Sequence, residues 1–438
     1  MSKGNNAGVG STGIYNVKEL GMAKTLLLGF QHTFAMFGAT VLVPILTGLS
    51  VSTTLLMAGL GTLLFHLITG GKVPAFLGSS FAFLGGYAAV APLENGVADP
   101  KQLAYASGGV VIAGLVYLVV AGLIKLFGAK KVMRFFPPVV TGPIIIAIGL
   151  TLAPSALNNC DTNWIIALVA IIIIIVCNIW GKGMIKIIPI MLGILGAYVV
   201  ALIMGEVDFT TIKEAAWVGI PLNSANFAKF NVNAIITIIP ISLATMMEHI
   251  GDISAISATT NRNYIANPGL HRTLLGDGLA TSMSALFGGP ANTTYGENTG
   301  VLALSKVYDP LVMRIAAVIA IILSFCPKFA AIVSSMPAAV VGGASLVLYG
   351  MISAIGMRNV VENKVDFIKS RNLIIAAIIL VCALGIEYKD NPGVNFSIGE
   401  FNIEFSGLAV AAIAGILLNA ILPGKDYEFN TDVTDNEE

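Results

Sequence analysis

Twelve apolar runs, each long enough to cross about 30 Å of hydrocarbon, leave this 438-residue chain little choice but to fold inside a bilayer. They fall at roughly 22–48, 51–70, 105–124, 136–154, 163–181, 185–204, 232–251, 272–289, 310–326, 336–357, 372–387 and 406–423. Two further segments, near 74–92 and 291–305, are shorter and interrupted by Gly, Ser, Thr, Asn and Pro. Hydrophobic residues make up 56% of the chain and charged residues 11%, far from the balance of a soluble domain. Backbone groups in lipid must be satisfied within the protein, and runs of this length do so as helices. The sequence therefore predicts an all-α polytopic membrane protein.

Several function classes fall away on composition. The 24 basic residues are matched by 24 acidic ones and form no basic patch, which argues against a nucleic-acid partner. Cys160, Cys177, Cys326 and Cys382 have neither CxxC nor metal-ligand spacing, so they read as small hydrophobes, and no metal or cofactor is expected. No HExxH or GxSxG occurs and the four histidines are scattered, so an enzyme is not expected. Residues 1–20 read as a polar cytoplasmic tail. No A-x-A site follows them, so no removable signal peptide is expected. The glycines from Gly4 to Gly13 lack the GK[ST] of a phosphate loop and read as flexible. The acidic tail 425–438 is expected to be disordered.

Charge asymmetry tests the number of crossings, because cytoplasmic loops should hold the excess of Lys and Arg. With the N-terminus inside and fourteen spans, the inside loops hold Lys72, the cluster Lys125 to Arg134, Lys182 and Lys186, Arg262 and Arg272, Lys306 and Arg314, and Arg358 to Arg371. The outside loops hold Lys101, Lys213, Lys229, Lys328 and Lys389. Twelve spans would move the Lys125 to Arg134 cluster and the next two outside, so fourteen are expected, with both termini cytoplasmic. The broken segments are then the third and tenth spans, the third of each seven-span half. That is the sequence pointer to inverted repeats with a binding site where they meet. Pro137-Pro-Val-Val-Thr-Gly142 and Pro337-Ala-Ala-Val-Val-Gly342 open corresponding spans and echo the repeat.

Two acids lie within this apolar framework. Glu248 closes the run from Ile235 to Met247, and Glu297 sits in Asn292-Thr-Thr-Tyr-Gly-Glu-Asn-Thr-Gly300. An ionisable group at membrane depth costs about 2.5–3.5 kcal/mol on insertion scales, so such a pair marks a functional site by default. Broken backbone belongs where it is paired in the protein or faces a water-filled cavity. Gly78-Ser-Ser-Phe-Ala-Phe83 and Asn292-Thr-Thr-Tyr-Gly296 read as short extended pieces leading into half-helices, whose free N–H groups suit carbonyl oxygens or anions. Phe81 N–H and Gly296 N–H would hold two carbonyls of a ligand, and the rings of Phe81 and Tyr295 would suit a flat one. A glutamate accepts from a ring N–H when ionised and donates when protonated, so proton and substrate binding are linked.

Duller readings stand beside these. Glu248 would be structural if paired with Arg262 or Arg272. His249 either relays a proton or packs, and Asp252 lies where the span nears the cytoplasm. Asp277 is a second candidate for the proton. His32 and His66 read as satisfied buried imidazoles. An ion channel would call for rings of like charge, which these few acids do not make.

Several separate blocks carry a resemblance: Gln31 to Pro44, Pro74 to Phe83, Glu248-His-Ile-Gly251, Pro268-Gly-Leu-His-Arg272 and Asn292 to Gly300. Together they resemble the nucleobase-ascorbate transporter (nucleobase:cation symporter-2) family, within it the bacterial uracil permeases, from about Gln31 to the end of the last span. The resemblance implies a core domain (21–134 and 231–328) and a gate domain (135–230 and 329–424), uracil:proton symport across the bacterial cytoplasmic membrane, and a homodimer. It implies that Glu248 and Glu297 bind the ring N–H groups and that the Phe81 and Gly296 amides bind the carbonyls. Ala39, Tyr295 and Tyr349 would shape or close the pocket, and Glu248, Glu297, Asp252 and His249 are the candidates for proton coupling. One position departs: Asp252 stands where uracil permeases carry histidine and purine-carrying relatives tend to carry aspartate. A xanthine or uric acid permease is therefore the alternative, and an anion exchanger of similar architecture a remoter one.

Overall fold

The computed structural model describes residues 13–94, 97–390, 393–398, 401–424 and 427. All but Tyr427 of the predicted acidic tail 425–438, and the tail up to residue 12, lie outside them. Each of the fourteen predicted segments coincides with a helix. The first half holds α1 (Met22–Thr47), α2 (Val51–Ile68), the strand β1 (Leu77–Ser79) followed by α3 (Leu84–Val90), α4 (Pro100–Phe127), α5 (Pro138–Asp161), α6 (Trp164–Trp180) and α7 (Pro189–Met204). The second half holds α8 (Val232–Thr260), α9 (Leu270–Leu286), the strand β2 (Asn292–Thr294) followed by α10 (Gly296–Ser305), α11 (Leu311–Ser324), α12 (Ala338–Glu362), α13 (Ser370–Glu387) and α14 (Gly407–Ile421). Seven of these, α1, α2, α4, α5, α8, α12 and α13, are long and apolar enough to cross a membrane by length and composition alone.

Helices α1 to α4 pack with α8 to α11, the most extensive of these pairs being α4 with α9 and α2 with α11. Helices α5 to α7 pack with α12 to α14, led by α5 with α12. Lipid tails are as apolar as leucine, so helices in a membrane gain most from close backbone approach. The sequence supplies it with glycine: a Cβ on Gly149 of α5 would collide with the Tyr349 carbonyl of α12, and one on Gly114 of α4 would meet the Gly278 carbonyl of α9 at 2.7 Å. The polar content of α9 fits its place between α4 and α2.

The two strands pair antiparallel, with Leu77 opposite Thr294, Gly78 opposite Thr293 and Ser79 opposite Asn292. Two flanking bonds, Ser80 N–H to the Ala291 carbonyl at 2.8 Å and Tyr295 N–H to the Phe76 carbonyl at 3.0 Å, extend the ladder. This pairing satisfies the unwound backbone inside the protein, as the membrane requires.

Four features differ from the sequence expectation. Span eight does not stop near residue 251; α8 runs on to Thr260, so Asp252 lies inside the helix, one turn beyond Glu248. Span seven is broken at Ile188, because Pro189 disfavours helical geometry in the residue before it, and a short helix Met184–Ile187 precedes it. Two hairpins join the helices, Leu93–Glu94 with Val97–Ala98 and Val394–Ile398 with Phe401–Phe405. The N-terminal tail is docked from Ile14 onward: Ile14 pairs with Lys306 and Tyr308 through its backbone, and the Tyr15 hydroxyl donates to the Thr260 carbonyl at 2.5 Å.

Candidate functional site

Most long helices that begin at a polar residue cap their own first turn. Ser50, Asp99, Asn163, Asn231 and Ser406 each accept a backbone N–H at the start of α2, α4, α6, α8 and α14. The two half-helices do not: the residues preceding them, Phe83 and Tyr295, make no side-chain cap bond. Leading in from antiparallel strands, α3 and α10 begin at the two ends of one short ladder in the middle of the protein. Uncapped N–H groups carry partial positive charge and are satisfied by water or a ligand.

Glu297 occupies the first turn of α10, where its carboxylate accepts from its own backbone N–H. Facing it, α8 presents Glu248, and the two carboxylates lie close enough to feel each other's charge. Asp252 follows Glu248 on the same helix face, four residues on. Its Oδ1 would lie 3.6 Å from a Cβ built on Gly296, and its Oδ2 accepts from the Thr294 hydroxyl at 2.9 Å. Three carboxylates thus ring the start of α10. Glu248 forms no ion pair among the described residues, and Arg262 stacks over the Tyr15 ring at 4.1 Å, so the structural pairing with that arginine is not made.

A cavity of about 430 Å³ reaches this place. Ala39 of α1 and Glu297 and Gly300 of α10 form one wall, and Asn178 of α6, Lys186 and Met351 of α12 form the other. Gly296 is exposed, as an amide that meets a ligand must be. Phe81 is 7% exposed, and its N–H, like that of Gly296, donates to no acceptor among the described residues.

Tyr295, His249 and Tyr349 are each held by contacts inside the protein. The Tyr295 ring lies against Gly78, and its hydroxyl donates to the Ser79 carbonyl at 3.1 Å while approaching Thr40 Oγ1 at 3.2 Å. It braces α1 to the two strands, because only a buried phenol with partners inside the protein satisfies its polar end. His249 points away from Glu248: Nδ1 lies 3.3 Å from the Thr294 hydroxyl and 3.5 Å from Asp277 Oδ2, both fully buried. Successive helical residues are about 100° apart, which sends neighbouring side chains to different faces. Tyr349 is 2% exposed and lines a second cavity outside the first.

The hydroxyl of Thr294 was not singled out by sequence reasoning, yet it joins Asp252 to His249 and through it to Asp277. Lys186, in sequence simply one of the loop charges, brings a cation to the cavity wall. His66 is partnered at both ring nitrogens as expected, whereas His32 is partnered only at Nδ1, its buried Nε2 having no partner among the described residues. Asn298 Nδ2 contacts His32 Nδ1 and carbonyl at 3.1 Å each, and His66 lies between Arg314 Nε at 3.1 Å and the Ala75 carbonyl at 2.9 Å.

The chain is a multi-pass membrane protein of the permease class. Solved structures similar in fold include the transmembrane domain of a cyanobacterium bicarbonate transporter, BicA (TM-score 0.60, 18% identity, 83% of this chain and 96% of that one). Another is SLC26A9 (TM-score 0.67, 11% identity, 93% of this chain and 66% of that one). Residues 23–391 match the model of the Permease family, and the chain belongs to that family of nucleobase:cation symporter-2 permeases. Among curated relatives, the uracil permease of Bacillus caldolyticus is 44% identical over 413 residues, 91% of this chain and 92% of the relative. The probable uracil permease of Haemophilus influenzae is 40% identical over 92% of this chain and 96% of the relative. The putative pyrimidine permease RutG of Escherichia coli is 40% identical over 93% and 91%.

Proposed function

We propose that this chain is a uracil:proton symporter that imports the base across the bacterial cytoplasmic membrane, with both termini on the cytoplasmic side. The observation that carries this reading is the pairing of two uncapped half-helix N-termini with the carboxylates Glu248 and Glu297. Uracil presents two carbonyls and two ring N–H groups in one plane. The Phe81 and Gly296 amides donate to the carbonyls, and Glu248 and Glu297 accept from the ring N–H groups. The names of the relatives support the choice of base. An anion, by contrast, would be repelled by three carboxylates, whatever the likeness in fold to anion carriers.

Coupling follows from hydrogen-bond inventory. Protonating a carboxylate converts one acceptor into a donor, so the match to a bound base changes with its proton, and the two affinities are linked reciprocally. Asp252 carries the coupled proton, with Glu248 and Glu297 as its partners and His249 behind it; its bond to Thr294 and its position next to Gly296 support this role. The group α1–α4 with α8–α11 then moves as a core against a gate formed by α5–α7 with α12–α14. The proton is the coupling ion and no cofactor takes part. The carrier works in lipid as a homodimer.

Equilibrium binding of radiolabelled uracil to the purified protein tests the site, with Asp252→Asn as the probe of coupling. The variant is expected to bind uracil within about threefold of the parent, because the ring contacts remain, while losing gradient-driven accumulation. Wild-type protein that binds no uracil, or an Asp252→Asn protein that still accumulates it against a gradient, would overturn the reading.

A further inference from the structure

A second cavity, about 190 Å³, lies on the other side of the half-helix layer. The larger cavity follows α1 from Phe34 to Ala39 and α10 at Gly300 and Leu304. The smaller meets α1 at Leu46 and follows α3 from Leu84 to Ala88, away from Phe81. The two therefore approach the site from opposite faces, with Tyr349 on the wall of the smaller one. With the N-terminus of α1 at the cytoplasm, the smaller cavity lies on the route from outside.

Its lining is uneven. Helix α3 contributes apolar surface, while Thr151 and Ser155 of α5, Ser406 and Glu387 contribute polar groups. Glu387 is the last residue of α13 and half-buried, and its carboxylate accepts from the N–H of Gly407 at the start of α14. That bond uses one of about four acceptor positions on an ionised carboxylate. The Thr151 hydroxyl donates to the Ile148 carbonyl at 3.0 Å and keeps its lone pairs, and Ser155 has no partner among the described residues. Glu387 stands at the end of its span, next to the outside loop that holds Lys389, so its remaining acceptor positions face the way in from outside.

We propose that Glu387, Ser155 and Thr151 form a transient outer recognition site for the same class of ligand, a planar ring bearing adjacent N–H and C=O groups. Resting on the transport reading above, it deepens that reading by adding a step before the central site. Glu387 accepts a ring N–H, the Ser155 hydroxyl donates to a ring carbonyl, and the α3 wall takes the ring face. It repeats at lower complexity the arrangement of the central site, where a carboxylate and a helix N-terminus also lie together.

The test is uracil uptake into proteoliposomes alongside equilibrium binding and thermal melting of the same purified protein. Glu387→Gln keeps an acceptor for the Gly407 N–H and removes the charge. Expected are a KM for uptake raised about tenfold with kcat, equilibrium Kd and Tm unchanged, and recovery of most of the loss in Glu387→Asp. A KM that does not move, or a Kd or Tm that moves with it, overturns the proposal, since the residue would then act through the central site or the fold. If Glu387→Gln fails to insert, Ser155→Ala decides: a severalfold rise in KM alone supports the outer site, and no rise overturns it. Wild-type protein that takes up no uracil sinks the transport reading itself, whereas active wild type with indifferent variants sinks this proposal alone.

Discussion

The two broken spans share a geometry and divide the chemistry. Both unwind into a three-residue strand, pair with each other, and restart as a helix whose first amides have no side-chain cap. The first, through Gly78-Ser-Ser-Phe81, carries no acid and offers backbone donors. The second adds Glu297 in the first turn of its half-helix, with Glu248 and Asp252 opposite. A fold that repeats its backbone need not repeat its side chains. On the proposed reading the first half supplies only a backbone donor for a substrate carbonyl, whereas the second supplies the Gly296 donor and the carboxylate acceptors as well, and only the second senses a proton.

If that division holds, the largest loss comes from the second span. Glu297→Gln removes a charged hydrogen-bond acceptor, worth about 2–3 kcal/mol, and is expected to weaken uracil binding roughly 30- to 150-fold by equilibrium dialysis. A loss under threefold would break the comparison. In the first span the vulnerable element is backbone geometry: a Cβ at Gly78 collides with the Tyr295 ring, so Gly78→Ala is expected to cost about 1–3 kcal/mol of stability, read as a lowered Tm. Thr294→Val cuts the link from Asp252 to His249, a net loss of about 1–1.5 kcal/mol, and uptake at a fixed proton gradient should fall roughly five- to tenfold with little change in binding. Phe81→Leu leaves the amide in place, and KM should stay within about threefold. A far larger rise would mean that the ring itself holds the substrate.

Much of this could be seen in the sequence, for identifiable reasons. Apolar runs and the bias of Lys and Arg located fourteen segments, since hydrocarbon thickness sets their length. Gly, Pro, Asn and Thr at 74–92 and 291–305 marked the breaks, because those residues are tolerated at membrane depth where backbone is unwound. Glu248 and Glu297 stood out as acids with no reason to be in lipid. Side-chain direction was less accessible. Tyr295 looked like a stacking ring until its hydroxyl was seen tied to Ser79 and Thr40, contacts made across about 216 and 255 residues of chain. Helical phase alone would have separated His249 from Glu248 and placed Asp252 beside Glu248, but only the full length of α8 shows Asp252 to be inside the helix. Thr294 carried no signal, being one hydroxyl in a run of polar residues.

On the proposed reading, a carboxylate site couples uracil to protons. The most direct test is uptake of radiolabelled uracil into proteoliposomes with an imposed inward proton gradient and the membrane potential clamped, competed with unlabelled xanthine and uric acid. The expected result is accumulation that requires the gradient, with purines that do not compete. Uptake indifferent to the gradient, or displaced better by xanthine than by uracil itself, would contradict it.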